Sequence, residues 1–153
     1  MAVRQVLVNC GTKEVWSVLS DGRSYGQWVV GTTDIRAVDE HWPEVGSSLY
    51  YTVGRGRLRL EDSTTVRVLE PDRRIEFEAH AWPYGTARVA IQTIPWTEKT
   101  TVVILDEHPL RGPGARLHSN VVEFLLHLRS RRMLTNLAQV AEQRSANGRR
   151  PAG

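Results

Sequence analysis

Two carboxylates carry most of the chemistry that the sequence offers, Asp62 and Glu107. Asp62 lies in the stretch Leu58–Val68, where Leu58, Leu60, Val66 and Val68 fall on one strand face together with Asp62 and Thr64. A carboxylate between Leu60 and Thr64 on an inward face is costly unless it is hydrogen-bonded or close to water. So placed, it can orient a ligand hydroxyl as an acceptor or act as a general base. The alternatives are a β-bulge that turns it outward and an ion pair with one of the many arginines. Glu107 joins it only if Val103 and Leu105 point inward, and Val102 and Ile104 are equally apolar. Two carboxylates facing one hollow are the pairing that acid–base chemistry uses.

Other chemistries find less support. The five histidines, His41, His80, His108, His118 and His127, show no metal-ligand spacing, and there is no H-E-x-x-H. His127 either reaches toward a cavity mouth or sits on a solvated helix flank. Gly54-x-Gly56 is followed by Arg59 where a dinucleotide fingerprint needs a third glycine, and neither a G-x-S-x-G elbow nor a Walker loop is present. A single cysteine, Cys10, allows no internal disulfide and no cysteine-rich metal site. Neither a metal nor a cofactor is expected. The net charge is +3, and all but Lys13 and Lys99 of the 20 basic residues are arginines spread among 17 acids. Arg55, Arg57 and Arg59 alternate as on a strand, and Arg129, Arg131 and Arg132 form a second cluster. Both read as solvated faces, so no nucleic-acid partner is expected. No apolar run approaches the ~18 residues of a membrane span. The N-terminus has no basic-then-apolar leader, and a cytoplasmic location is expected by default.

These groups must be positioned by the elements around them. A chain of 153 residues with 41% hydrophobic content is expected to form one domain, over 1–144, with a frayed tail at 145–153. Arg4–Val8 reads as a strand, and Thr12 as the cap of a helix carrying Val15, Trp16, Val18 and Leu19, with one further turn at Ser24–Gln27. Strands follow over Thr32–Val38, Ser48–Val53, Arg57–Leu69, Arg74–Ala81, Thr86–Ile94 and Thr100–Leu110, joined by short turns as in an antiparallel meander. The last helix starts near Ala115 or Asn120 and ends at Gln143. Leu117, Val121, Phe124, Leu125 and Leu128 form its first apolar stripe, whereas Met133, Leu134, Leu137, Val140 and Ala141 lie nearly opposite. The helix therefore either turns two faces to apolar surroundings or breaks near Arg129–Arg132.

This order resembles the START/Bet v 1-like (SRPBCC) superfamily, and several stretches look like its bacterial polyketide cyclase/dehydrase-type branch. They are Val15-Trp16-Ser17-Val18-Leu19-Ser20-Asp21, Trp28-Val29-Val30-Gly31-Thr32, Ile35-Arg36-Ala37-Val38-Asp39 with Trp42-Pro43 and Gly46-Ser47, Glu70-Pro71-Asp72-Arg73-Arg74, and Glu107-His108-Pro109 with Gly112-Pro113. The resemblance spans about residues 3 to 143. It implies an α+β helix-grip fold, in which a curved antiparallel sheet of about seven strands wraps a long C-terminal helix, with two short helices after strand 1. It also implies a cavity between sheet and helix that holds a hydrophobic small molecule such as a lipid, polyketide or aromatic metabolite.

Strand alternation proposes the walls of that cavity. Leu49 and Tyr51 share a face with Val53, Leu60 and Thr64 share one with Asp62, Phe77 pairs with Ala79, and Val89 with Ile91. Trp28 and Trp42 add bulk, Tyr25 sits at the mouth, and Phe124, Leu125 and Leu128 come from the helix. Small residues at Ala79, Ala81 and Ala87 favour a hollow over a filled core. The expected function is binding of a hydrophobic small molecule. The alternatives are a polyketide aromatase/cyclase or dehydratase using Asp62, Thr64 or a tyrosine, and a ligand-free homodimeric interaction module exposing Trp82, Trp96 or Met133.

Overall fold

Alternation at period two builds seven strands: β1 (Ala2–Val8), β2 (Thr32–Val38), β3 (Ser48–Val53), β4 (Leu60–Glu70), β5 (Arg74–Ala81), β6 (Gly85–Thr97) and β7 (Thr100–Arg111). A computed structural model describes residues 2–54, 56–81, 85–111 and 120–148 and, within the last helix, the side chains from Arg129 onward. All neighbouring strands are antiparallel, in the order β1-β7-β6-β5-β4-β3-β2. Thus β2 to β7 form the expected meander, and the first strand returns to pair with the last. Between β1 and β2 come α1 (Thr12–Leu19), a 3-10 turn at Gly22–Ser24 and α2 (Tyr25–Trp28). The chain closes with α3 (Asn120–Gly148).

Helix ends depart from the sequence reading for local reasons. Thr12 is the first helical residue and not the cap. Gly11 takes the cap position without a side-chain bond, and Thr12 Oγ1 lies 3.4 Å from Thr101 Oγ1. Asp21 caps the next turn, its Oδ1 accepting from the Arg23 amide at 3.1 Å. Helix α3 runs unbroken through Arg129–Arg132 and on to Gly148, past the expected end at Gln143. Its last turns are tethered. Arg144 donates to the Ser17 carbonyl at 2.9 Å and pairs with Asp21 at 2.6 Å, while Glu142 accepts from the Asn9 amide at 2.9 Å. Met133, Leu134, Leu137, Ala138 and Ala141 are buried where α3 packs on β1, α1 and α2. That is the expected second stripe with Ala138 added and Val140 only half-buried, and Met133 therefore offers no exposed patch. The first stripe and Trp82 lie outside the described residues, whereas Trp96 is 69% exposed.

In β4 the register differs from simple alternation at both ends. Leu58, expected inward, is 82% exposed because Gly56–Leu58 forms a 3-10 turn before the strand begins. Arg57 belongs to that turn, so Arg57 and Arg59 do not share a strand face. Gly54 starts the turn at φ +82°, and a Cβ there would stand 2.1 Å from the Leu58 carbonyl oxygen. Farther on, a bulge between Val66 and Val68 turns Leu69 toward the core in place of Val68. It falls beyond Asp62 and leaves that residue on the inner face.

The concave side of the sheet buries Leu49, Val66, Ile75, Phe77, Ile91, Val103 and Leu105 against Leu137 and Met133 of α3. Each such side chain contributes about 1.5–3 kcal/mol by leaving water. Trp42 stacks on Phe77 with centroids 5.7 Å apart. The Trp16 indole donates to Thr93 Oγ1 at 2.9 Å, and Thr93 donates on to the Asp72 carbonyl at 2.9 Å, fixing α1 beneath the sheet. On the convex face Arg67 pairs with Glu78 at 2.8 Å, and Glu76 is covered by Arg74 and Arg88. Much of the chain's arginine serves this outer ladder.

Candidate functional site

Two alanines open the interior. Ala79 of β5 and Ala87 of β6 stand directly opposite each other, and where the preceding pair on that face, Phe77 and Val89, meets in bulk these meet in methyl groups. A cavity of about 190 Å³ lies over them. Its apolar wall is Val29 and Val30 after α2, Val53 of β3, Leu60 of β4, and the two alanines. Its polar wall is Thr32, Tyr51, Asp62, His80, Glu107 and Arg129. This is smaller than the ~300–1,000 Å³ of drug-sized ligand sites. A roomier groove of about 540 Å³ runs outside, past Thr33, Asp34, Gly56 and Arg59, but it is open to solvent.

Burial of Thr101, Val103 and Leu105 settles the ambiguous face of β7 and turns Glu107 inward. Glu107 is 4% exposed, and consecutive residues of α3 grip it. Arg129 Nη1 donates to Oε1 at 2.7 Å, and Ser130 Oγ donates to Oε2 at 3.0 Å. Both carboxylate oxygens are thus engaged, as in an orienting clasp. The Arg129 side chain remains 39% exposed and lines the cavity. Sequence reasoning missed Arg129, placing it in a charge cluster. The signal was its position beside Ser130, at the point where one apolar stripe of the helix hands over to the other.

Asp62 is 9% exposed and faces Tyr51 across the β3–β4 ladder. Its Oδ1 accepts from the Ser63 amide at 3.3 Å, and Arg36 pins its backbone carbonyl at 3.1 Å. Beside it runs a chain of hydroxyls. Tyr51 donates to the His80 carbonyl at 3.2 Å, and Thr64 donates to the Tyr51 oxygen at 3.4 Å. A carbonyl has no proton to give, so the chain must run toward it. Tyr25 therefore donates to Thr64 across their 3.0 Å contact. Burial, and then the neighbouring Tyr51, push the Tyr25 phenol well above its ordinary range. Burial also raises Tyr51. Its bond from Thr64 opposes that rise, and the Asp62 charge adds to it. Neither phenol is a base near neutrality.

Of the residues named from the sequence, Tyr51, Leu60, Asp62, Ala79 and Glu107 meet at the cavity. Tyr25, Trp28 and Thr64 form the layer beneath, with Tyr25 at 5.4 Å from Trp28 and 5.3 Å from Tyr51, ring to ring. Tyr25 is therefore buried under the site and not at its mouth. Leu49, Phe77, Val89 and Ile91 are buried in the core, with Trp42 stacked on Phe77. Phe124, Leu125 and Leu128 lie outside the described residues. Among the described residues no cluster of His, Cys, Asp or Glu is arranged to hold a metal, and no helix is long and apolar enough to cross a membrane.

No protein-family profile matches the chain, and no curated protein matches it in sequence. Solved structures do. The Zhui aromatase/cyclase from Streptomyces superposes with a TM-score of 0.71 at 17% identity, over 94% of this chain and 94% of its own. The fold is the helix-grip fold. The di-domain ARO/CYC BexL of the BE-7585A biosynthetic pathway matches at TM-score 0.71 and 15% identity, over 92% of this chain and 46% of BexL. A conserved protein of Geobacillus kaustophilus also reaches 0.71, at 12% identity over 92% of this chain and 94% of its own. At such identities the likeness is one of fold.

Proposed function

We propose that this helix-grip protein binds one small, mostly apolar molecule in the cavity above Ala79 and Ala87. The observation that carries the reading is the facing alanine pair beneath a cavity of about 190 Å³ that both apolar and polar side chains line. The occurrence of the same fold in the aromatase/cyclases Zhui and BexL supports it. Affinity comes chiefly from apolar burial, at about 25 cal/mol per Å². Native mass spectrometry of freshly purified protein should reveal bound mass. Added aromatic or fatty ligands should raise the melting temperature in proportion to the logarithm of their concentration. A protein that carries no extra mass and whose melting temperature no ligand moves contradicts the proposal.

A second reading, a polyketide cyclase or dehydratase, is favoured by the Asp62 carboxylate on the cavity wall beside Tyr51. In it Asp62 moves the proton, while Glu107, engaged by Arg129 and Ser130, orients the helix. Asp62→Asn separates the two readings. A fall in turnover of a candidate polyketide with binding retained favours the enzyme, and a change in binding alone favours the carrier.

A further inference from the structure

We infer that Arg129 is the anchor for the ligand's polar end, and that this end is an uncharged hydrogen-bond acceptor of the ketone or aldehyde type. The inference deepens the cavity reading and rests on it. It follows from where the protons on the polar wall are already placed. Ser130 gives its proton to Glu107, Tyr51 to the His80 carbonyl, and Thr64 to Tyr51. Among the described residues of the wall Arg129 holds the most donors in reserve, beside the single hydroxyl of Thr32, which is buried without a partner. A guanidinium carries five N–H groups, one of them lies on Glu107 Oε1, and the half-exposed side chain lines the cavity.

The charges on the wall choose among acceptors. Among the described residues Asp62 and Glu107 both line the cavity with Arg129, two carboxylates to one guanidinium. A carboxylate on the ligand would meet both at short range, whereas a neutral carbonyl takes the donor without that repulsion. The apolar part of the lining, Val29, Val30, Val53, Leu60 and the two alanines, takes the hydrocarbon part.

Acetophenone, cumene and benzoate test this as near-isosteric probes, with dissociation constants measured by calorimetry or ligand-observed NMR. The decisive quantity is the cumene-to-acetophenone ratio of dissociation constants in the wild type and in Arg129→Met. That ratio should fall about tenfold in the variant, the worth of one charge-assisted hydrogen bond, while cumene itself binds within about threefold of wild type. Removing Arg129 alone strands Glu107, so the double variant Arg129→Met with Glu107→Gln is measured alongside and should show the same fall. An unchanged ratio in the folded double variant overturns the inference, as does benzoate binding more tightly than acetophenone. If wild type binds cumene and the ratio stays put, only the anchor is wrong. If it binds none of the three probes, the cavity reading falls and takes the anchor with it.

Discussion

At Tyr25 and Tyr51 the structure turns two potential bases into fixed donors. Each phenol proton is committed, one to Thr64 and one to the His80 carbonyl, and burial holds both phenols above their ordinary value of 10.0. The consequence for stability has a definite sign. Above pH 10 the unfolded chain releases phenol protons that the native state keeps, so stability present below pH 10 declines as alkalinity rises. Tyr25 should accordingly remain un-ionised at pH 11 until the protein is unfolded, and Tyr51 should ionise later than it does in the unfolded chain. Tyrosinate absorbance, recorded before and after adding denaturant at that pH, checks it. Full ionisation in the native protein would contradict the hydroxyl chain. Tyr51 and Asp62 were legible as cavity candidates because period-two alternation fixes a strand's inner face. The direction of the hydroxyl chain was not legible, because it depends on a carbonyl from another strand.

The contact of α3 with β7 is where an element-level experiment belongs. Glu107 is nearly inaccessible, and its partners Arg129 and Ser130 come from the helix, so the ion pair couples helix to sheet at the cavity wall. Glu107→Ala should destabilise the protein by about 2 kcal/mol in urea unfolding, because it leaves a guanidinium and a hydroxyl without their acceptor. Glu107→Gln, which keeps an acceptor oxygen, should cost less. Equal losses in the two variants would mean that the clasp contributes by shape alone. The two-stripe pattern announced an unusual helix but left open whether it was broken. The helix is continuous, and its second stripe packs on β1, α1 and α2, partners known only once the sheet has closed. The β4 bulge escaped the sequence for a similar reason: strict alternation carried Val68 inward, and pairing with β5 put Leu69 there.

For the molecule as a whole, the cavity is a local shortage of side-chain volume inside a well-filled core. Ala87→Leu and Ala79→Leu place new methylenes in that space, each worth about 0.8 kcal/mol if buried without strain. Either substitution should hold the melting temperature or raise it by about 2–4 °C, and should abolish ligand-induced stabilisation. A melting temperature lowered by several degrees would mean that the space is already taken. Differential scanning fluorimetry with and without ligand reads both effects.

Periodicity, turn residues and composition by themselves determined the seven strands, the helices before β2 and after β7, and the inward set on β3, β5 and β6 and in the middle of β4, because these follow from interactions within a few residues of chain. Only tertiary structure decided the inward face of β7, the clasp between Glu107 and Arg129, and the meeting of Ala79 with Ala87. Each of these joins segments that the chain brings together only when the sheet curls around its helix. One arginine of a charge cluster, Arg129, became part of a cavity wall there while Arg131 and Arg132 stayed exposed, because burial is a property of neighbours in space.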